Sequence, residues 1–231
     1  MNDGIRRAAG DAWAFRNRVE QEAARRFARL AGAISGFDAD SPVPDLLRRA
    51  SEDEARHAEL CSTLARSYGH SAAGPGEDAP IAPAGLDPRA AALYEMVAAC
   101  CITETESVAT LTSLLGETVE PAVEKVLREI ARDEVAHGRM GWAHLAREAA
   151  RSEVAFLSRW IPSMLSGTVD AGLFAAAAAE LESPELLRHG VLPHSTKRRI
   201  FVGTLEGVVL PGLQRFGIDP APSRAWLDAR R

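Results

Sequence analysis

The chain has 231 residues, of which 46% are hydrophobic and only 6% aromatic, and its formal net charge is −5 at pH 7. This length allows one large domain or two small ones with a sizeable core. The acidic balance does not favour nucleic-acid binding, and no apolar run is long enough to cross a bilayer. The first twenty residues lack the apolar core of a signal peptide and the three cysteines lack metal-knuckle spacing, so we expect a cytoplasmic protein with reduced thiols.

Four long segments carry apolar residues at helical spacing, at about residues 12–33, 42–68, 88–115 and 121–150. Leu, Ala, Arg and Glu dominate the composition, which favours helices, and no hairpin pattern is present, so the predicted class is all-α. Short links join the first segment to the second and the third to the fourth. The Gly- and Pro-rich stretch at 69–88 predicts one long crossover between the second and third helices of a four-helix bundle.

The remaining third of the chain predicts additional C-terminal helices at about residues 152–165, 169–182 and 196–216. Glycine and proline residues separate these three segments. We therefore expect a bundle at residues 1–150 and a C-terminal helical extension at residues 151–231 that packs on it.

Two segments share one pattern, Asp-Glu-x-x-His, at residues 53–57 of the second helix and 133–137 of the fourth. Residues three apart lie on one helix face about 4.5 Å apart along the axis, so each Glu and His can reach one metal ion. The same faces carry apolar residues, namely Leu46, Ala50, Cys61 and Leu64 on the second helix and Val123, Leu127, Ile130 and Gly141 on the fourth. Both pairs are therefore predicted to face the core, where an unpaired charge is very costly.

The first and third helices each place one Glu on an apolar face. Glu104 is in phase with Leu93, Val97 and Cys100, and Glu20 is in phase with Phe27 and Leu30. Helix phase read from sequence is approximate, so Glu22 stays open as the alternative to Glu20. Four inward carboxylates would balance the charge of two divalent cations, and two neutral imidazoles would add ligands without adding charge. The predicted metal ligands are Glu20, Glu54, His57, Glu104, Glu134 and His137.

The order Glu, Glu-x-x-His, Glu, Glu-x-x-His on four successive helices resembles that of the ferritin-like di-iron carboxylate proteins. The sequence is also similar to that of bacterial ferritin-like domain proteins over residues 20–30, 53–61, 101–105 and 133–137. The resemblance covers about residues 12–150 and implies two metal ions, with iron as the first choice and manganese as the alternative. It also implies that Asp53 and Asp133 each accept the distal N–H of a ligand imidazole from the opposite helix, the alternative being solvated carboxylates.

His144 is the remaining histidine on the fourth predicted helix. It lies seven residues beyond His137, about 10 Å along the axis, which is too far for the same cluster on a straight helix. We expect a core or surface histidine there.

The resemblance implies a non-haem di-iron oxidoreductase, in which two ferrous ions reduce O2 and a substrate is oxidised. Its partners would be O2, a small-molecule substrate and an electron donor. The sequence does not identify the substrate or the donor. A homodimer is a further expectation. Two alternatives stay open. One is iron handling, as a ferroxidase, storage or peroxide-protection protein, although some 80 residues beyond the bundle would complicate a closed shell. The other is a structural metal-binding bundle that acts through partners.

Overall fold

The computed structural model describes residues 1–71, 74, 79–117, 120–169 and 171–231, and these residues contain helices and no β-strand. The bundle consists of α1 (Asp3–Phe37), α2 (Val43–Ser67), α3 (Pro88–Met96), a π-helical segment (Val97–Thr103), α4 (Glu104–Leu115) and α5 (Pro121–Ala149). The segment from α3 to α4 is continuous and forms the third helix of the bundle. The predicted all-α, ferritin-like four-helix bundle with additional C-terminal helices is confirmed.

Local chemistry explains where the bundle helices begin. The Asn2 side chain accepts a hydrogen bond from the Ile5 amide at 2.8 Å, so α1 begins well before the predicted residue 12. The Asp87 carboxylate accepts the amides of Arg89 and Ala90, both at 3.0 Å, and Pro88 occupies the first turn of α3. These caps satisfy amides that have no partner within the helix.

The directions of the helices follow from contacts at one end of the bundle. The Arg89 guanidinium, at the start of α3, lies 4.8 Å above the ring of Phe37, the last residue of α1. A short link joins the end of α1 to the start of α2, so α2 and α3 begin at the same end and run parallel. Residues 68–87 make the crossover that this arrangement requires, and residues 72, 73 and 75–78 within it lie outside the described residues.

The C-terminal third is less regular than its sequence predicts. Its helices are α6 (Ile161–Thr168), α7 (His194–Thr204), a second π-helical segment (Leu205–Val209), α8 (Leu210–Gln214) and α9 (Ala221–Asp228). The predicted helix at 196–216 is present as a continuous run, whereas the predicted helix at 169–182 is wrong. The described residues there form 3₁₀ turns at 171–174 and 179–182, because a short Ala-rich segment has little apolar area to bury and isolated short helices are marginal.

One apolar cluster joins the C-terminal third to the bundle. Leu93, Val97 and Ile102, from α3 and the first π-helical segment, pack in the same cluster as Phe201 and Leu205. The outer face of the third bundle helix is therefore covered by protein. The division of the chain at residue 150 stays a prediction.

A second attachment lies at the opposite end of the bundle. The Tyr68 hydroxyl is 3.1 Å from Nδ1 of His189, and the Trp13 indole N–H donates to the His189 carbonyl at 2.8 Å. Gly190 follows with φ at 71°, and a Cβ there would lie 2.6 Å from a Val123 methyl. Glycine thus lets the C-terminal segment turn directly against α1 and α5. Among the described helices, none combines the length and apolar character needed to cross a membrane.

At the start of α2, the residue that points inward is not the one predicted. Leu46, predicted to point inward, is 43% exposed, whereas its neighbour Leu47 is fully buried with Ala50. Two adjacent leucines fit the hydrophobic pattern equally well, and only packing against α1 selects between them.

α5 approaches the first π-helical segment unusually closely at Gly141. A Cβ added at Gly141 would overlap the Cβ of Cys100, and the Cys100 carbonyl carbon would lie 3.0 Å away. The missing side chain therefore sets the distance between α5 and the segment that leads into Glu104.

We expect Gly141→Ala to lower the free energy of unfolding by about 1–3 kcal/mol, because the added methyl group overpacks this contact. Gly32→Ala is the matched control, since Gly32 lies on α1 with open space around it and should gain about 0.5–1 kcal/mol from helix propensity. Urea unfolding of both metal-free variants measures the two changes. Equal stability of Gly141→Ala and wild type would show that the contact is not tight.

Candidate metal centre

The two Glu-x-x-His pairs meet in the middle of the bundle. Glu54 and His57 on α2 face Glu134 and His137 on α5, and all four side chains are buried. Nδ1 of His57 lies 3.2 Å from Glu54 Oε2 and 3.9 Å from Glu134 Oε1. Nδ1 of His137 lies 3.0 Å from both Glu134 Oε2 and Glu54 Oε1. The inner nitrogen of each imidazole thus faces both carboxylates.

Glu20 from α1 and Glu104 from α4 complete the cluster. Position A is formed by Glu20, Glu54, His57 and Glu134, and position B by Glu54, Glu104, Glu134 and His137. Within each position one potential ligand atom per residue lies within 4.8 Å of the others. Glu54 and Glu134 belong to both positions. The structure therefore brings all six predicted ligands together, and their role as ligands stays a prediction.

Glu22, the alternative first-helix ligand, lies outside both positions. Its carboxylate is half-buried and pairs with Arg18 at 3.8 Å on the same helix. The geometry favours Glu20.

The cluster is strongly acidic for a buried site. Burial raises the pKa of Glu20 well above its ordinary value, and repulsion from Glu54 and Glu134 adds to the increase. Burial also raises the pKa of Glu104 well above its ordinary value, with repulsion from Glu134 as the next cause. Burial lowers the pKa of His137, but hydrogen bonds to Glu134 and Glu54 outweigh it and raise the value to about 10. Without metal, the cluster holds protons where cations would otherwise balance the charge.

The residues present fit two divalent ions. Glu54 Oε1 is buried and lies 3.0 Å from Nδ1 of His137, so two potential ligand atoms of position B lie side by side. Carboxylate oxygens and imidazole nitrogens are ligands that suit iron and manganese. Four carboxylates and two neutral imidazoles would neutralise two such ions, which removes the cost of burying the charge.

The outer nitrogens of both imidazoles face carboxylates on the opposite helix. Nε2 of His57 lies 3.2 Å from Asp133 Oδ2, and Nε2 of His137 lies 3.4 Å from Asp53 Oδ2. A neutral imidazole that donates its N–H outward from Nε2 can offer the lone pair of Nδ1 to a metal ion between the inner carboxylates. This is the geometry expected for orienting carboxylates, and the orienting role itself stays a prediction.

Two arginines that sequence reasoning missed hold these outer carboxylates. Arg56 Nη2 lies 2.9 Å from Asp53 Oδ1 and 2.6 Å from Asp133 Oδ2, and its Nε lies 3.1 Å from Glu129 Oε1. Arg132 donates to both oxygens of Asp133, at 2.9 and 3.2 Å. Burial acts to raise the pKa of Asp133, but hydrogen bonds from Arg132, His57 and Arg56 outweigh it and lower the value. The available signal was Arg56 itself, which lies one turn from Asp53.

The π-helical segment before Glu104 was also missed, because an uninterrupted α-helix was expected. Its wider turn changes which residues share a face. Leu93 and Val97, predicted to lie on the ligand face, pack in the cluster with the C-terminal third, whereas Met96 and Cys100 pack toward α1, α2 and α5. No residue type in the segment marks a π-helix.

Other candidate residues lie outside the metal cluster. His144 is buried and belongs to neither metal position, and burial lowers its pKa. The three cysteines are buried and unpaired, and burial raises their pKa values.

The structure is similar to that of a protein described as "protein 19 with aldehyde deformylating oxidase activity" from Synechococcus. The TM-score is 0.60 and the sequence identity 16%, over 99% of this chain and 100% of that chain. A likeness at this level establishes a shared fold. No protein-family model and no curated protein matches the chain.

In metal-free protein we expect Glu20→Gln to raise the free energy of unfolding by about 1 kcal/mol, because it removes a buried carboxylate from beside Glu54 and Glu134. The same variant should bind less metal. Urea unfolding and metal analysis measure the two effects.

Glu22→Gln is the matched control, two residues further along α1. It should change stability by less than about 0.5 kcal/mol and leave metal content unchanged. Loss of metal in Glu22→Gln with retention in Glu20→Gln would reverse the assignment of the first-helix ligand.

Proposed function

We propose that this protein is a di-iron carboxylate enzyme, an O2-dependent oxidase or hydroxylase that acts on a small-molecule substrate. The observation that carries the proposal is the buried cluster of four carboxylates and two imidazoles, with two carboxylates common to both metal positions. The shared fold with a protein that has aldehyde deformylating oxidase activity supports an oxidase over other uses of a di-metal site.

Each ligand has a definite part in this proposal. Glu54 and Glu134 would bind both ions, Glu20 and His57 would complete position A, and Glu104 and His137 would complete position B. When bound, a ferrous pair supplies the electrons for O2 reduction. Asp53 and Asp133 would orient the imidazoles through Nε2, so that each Nδ1 presents its lone pair once a metal ion displaces any proton from it.

Apolar side chains close the site against water. The Phe27 ring packs edge-on against the His137 imidazole, with centroids 5.8 Å apart. Leu30 and Met96 extend the same buried cluster on one side of the ligands, and Cys61 with Ile130 belongs to the cluster on the other. Exclusion of water strengthens the electrostatic interactions within the site and protects a reactive centre from side reactions.

The proposal is tested by loading metal-free protein with ferrous iron under anaerobic conditions, counting iron per chain, and then mixing with O2. We expect about two irons per chain, since the cluster offers two positions that share carboxylates, and an optical change that requires O2. Glu104→Ala and His137→Ala should each lose iron and the O2-dependent signal. Glu106→Ala is the matched control on α4, because the Glu106 carboxylate accepts from Thr110 at 2.9 Å and belongs to neither position.

Three results would change the conclusion. Absence of stoichiometric metal would reject a di-metal protein altogether. Tight binding of two ions without any O2 reaction would favour the structural bundle. Accumulation of many irons per chain as a soluble mineral would favour iron handling.

A further inference from the structure

The two halves of the metal site differ in the residues within and before their shared Asp-Glu-x-x-His pattern. The first motif, at 53–57, carries Arg56 between its Glu and His, whereas the second, at 133–137, carries Ala136 at the matching place. Arg56 contacts both outer aspartates, whereas Arg132 contacts Asp133 and the matching place before Asp53 is occupied by the acidic Glu52. The surroundings of positions A and B are therefore unequal.

The imidazole of position A is held by a firmly fixed carboxylate. Asp133, which faces Nε2 of His57 at 3.2 Å, is only 12% exposed. Its oxygens contact Arg56 at 2.6 Å and Arg132 at 2.9 and 3.2 Å. Hydrogen bonds to both of its oxygens restrict the rotation of this carboxylate, even though the Arg132 side chain is 69% exposed.

The imidazole of position B has a looser partner. Asp53 lies 3.4 Å from Nε2 of His137 and is 31% exposed. In the described part of the chain its one cationic side-chain partner other than His137 is Arg56, at 2.9 Å. Solvent competes for such a carboxylate, so it fixes the ring less well.

Glu20 and Glu104, which each belong to one position only, are carried by backbone of different regularity. Glu20 lies within the uninterrupted 35-residue helix α1. Glu104 directly follows the π-helical segment, and its own amide donates to the carbonyl of Ala99, five residues earlier. Such π-helical turns are rare insertions in α-helices and recur at functional sites, so the backbone that carries Glu104 is less regular than the backbone that carries Glu20.

We propose that position A binds the first metal ion and retains it, whereas position B is the weaker and exchangeable position. The inference rests on the proposed di-metal site and adds an order of loading to it. Ligands that are already fixed lose less freedom when an ion binds, and outer carboxylates of this kind change metal affinity by about 10–100-fold. Arg132 acts here as a positioning residue through Asp133.

The test is titration of the metal-free full chain with Mn²⁺, followed by calorimetry and electron paramagnetic resonance. We expect two binding steps that differ at least about 10-fold in affinity. The first equivalent should give the signal of an isolated Mn²⁺ ion, and the second should diminish it by coupling to a neighbouring ion. A single step, with coupled ions present from the first equivalent, would overturn the inference.

Two matched variants assign the steps to positions. Asp133→Asn should bring the two affinities closer together, because it loosens His57, whereas Asp53→Asn should move them further apart, because it loosens His137. The opposite changes, or equal weakening of both steps, would overturn the assignment. Circular dichroism of each metal-free variant verifies that the helical fold is retained.

The positioning role of Arg132 is tested separately. Arg132→Gln should narrow the gap between the steps, and Arg128→Gln should leave it unchanged, because Arg128 lies one turn earlier on α5 and pairs with Glu124. An unchanged gap in Arg132→Gln would contradict the part assigned to this residue.

These results are distinguishable from failure of the oxidase proposal. A chain that binds neither Mn²⁺ nor Fe²⁺ lacks the di-metal site, and both proposals fall. Two ions bound in one step, with O2 reactivity intact, would overturn only the order of loading. Two separate steps without O2 reactivity would keep the order of loading and reject the oxidase.

Discussion

Burial of four carboxylates in one apolar bundle is the constraint on which the rest of the structure depends. Burial raises the pKa values of Glu20, Glu54 and Glu104, because each loses water and faces the others at short range. Such a group of side chains is tolerated only where protons or metal ions balance its charge. The two imidazoles are directed through Nδ1 at the same carboxylates, so the six side chains predicted as ligands form one buried cluster.

The apolar framework serves that cluster from several sides. Phe27, Leu30 and Ile34 belong to the packed cluster beyond one end of the ligand layer, and Ala9 and Trp13 belong to the cluster beyond the other. The C-terminal third covers the third bundle helix from outside. Because these apolar residues leave the carboxylates little contact with water, cations are needed to balance the buried charge.

Regular helical periodicity accounts for how much of this could be predicted. Glu54 and His57, or Glu134 and His137, share a face because three residues span nearly one turn, and the apolar residues on that face indicate burial. The same reasoning was wrong where local patterns were ambiguous or incomplete. It placed Leu46 inward in place of Leu47, and it predicted a helix at 169–182 from an Ala-rich composition.

The sequence by itself determined the four long helices, the crossover and the six candidate ligands, because each depends on the spacing of residues within one segment. Only the tertiary structure decided the contacts of Arg56 with Asp133 and of His189 with Tyr68, since these residues are 77 and 121 positions apart. It also decided the π-helical segment before Glu104, within which Cys100 packs closely against Gly141. Contacts between distant segments, such as that of Arg56 with Asp133, contribute to the unequal surroundings of positions A and B, because such contacts form only when the helices pack.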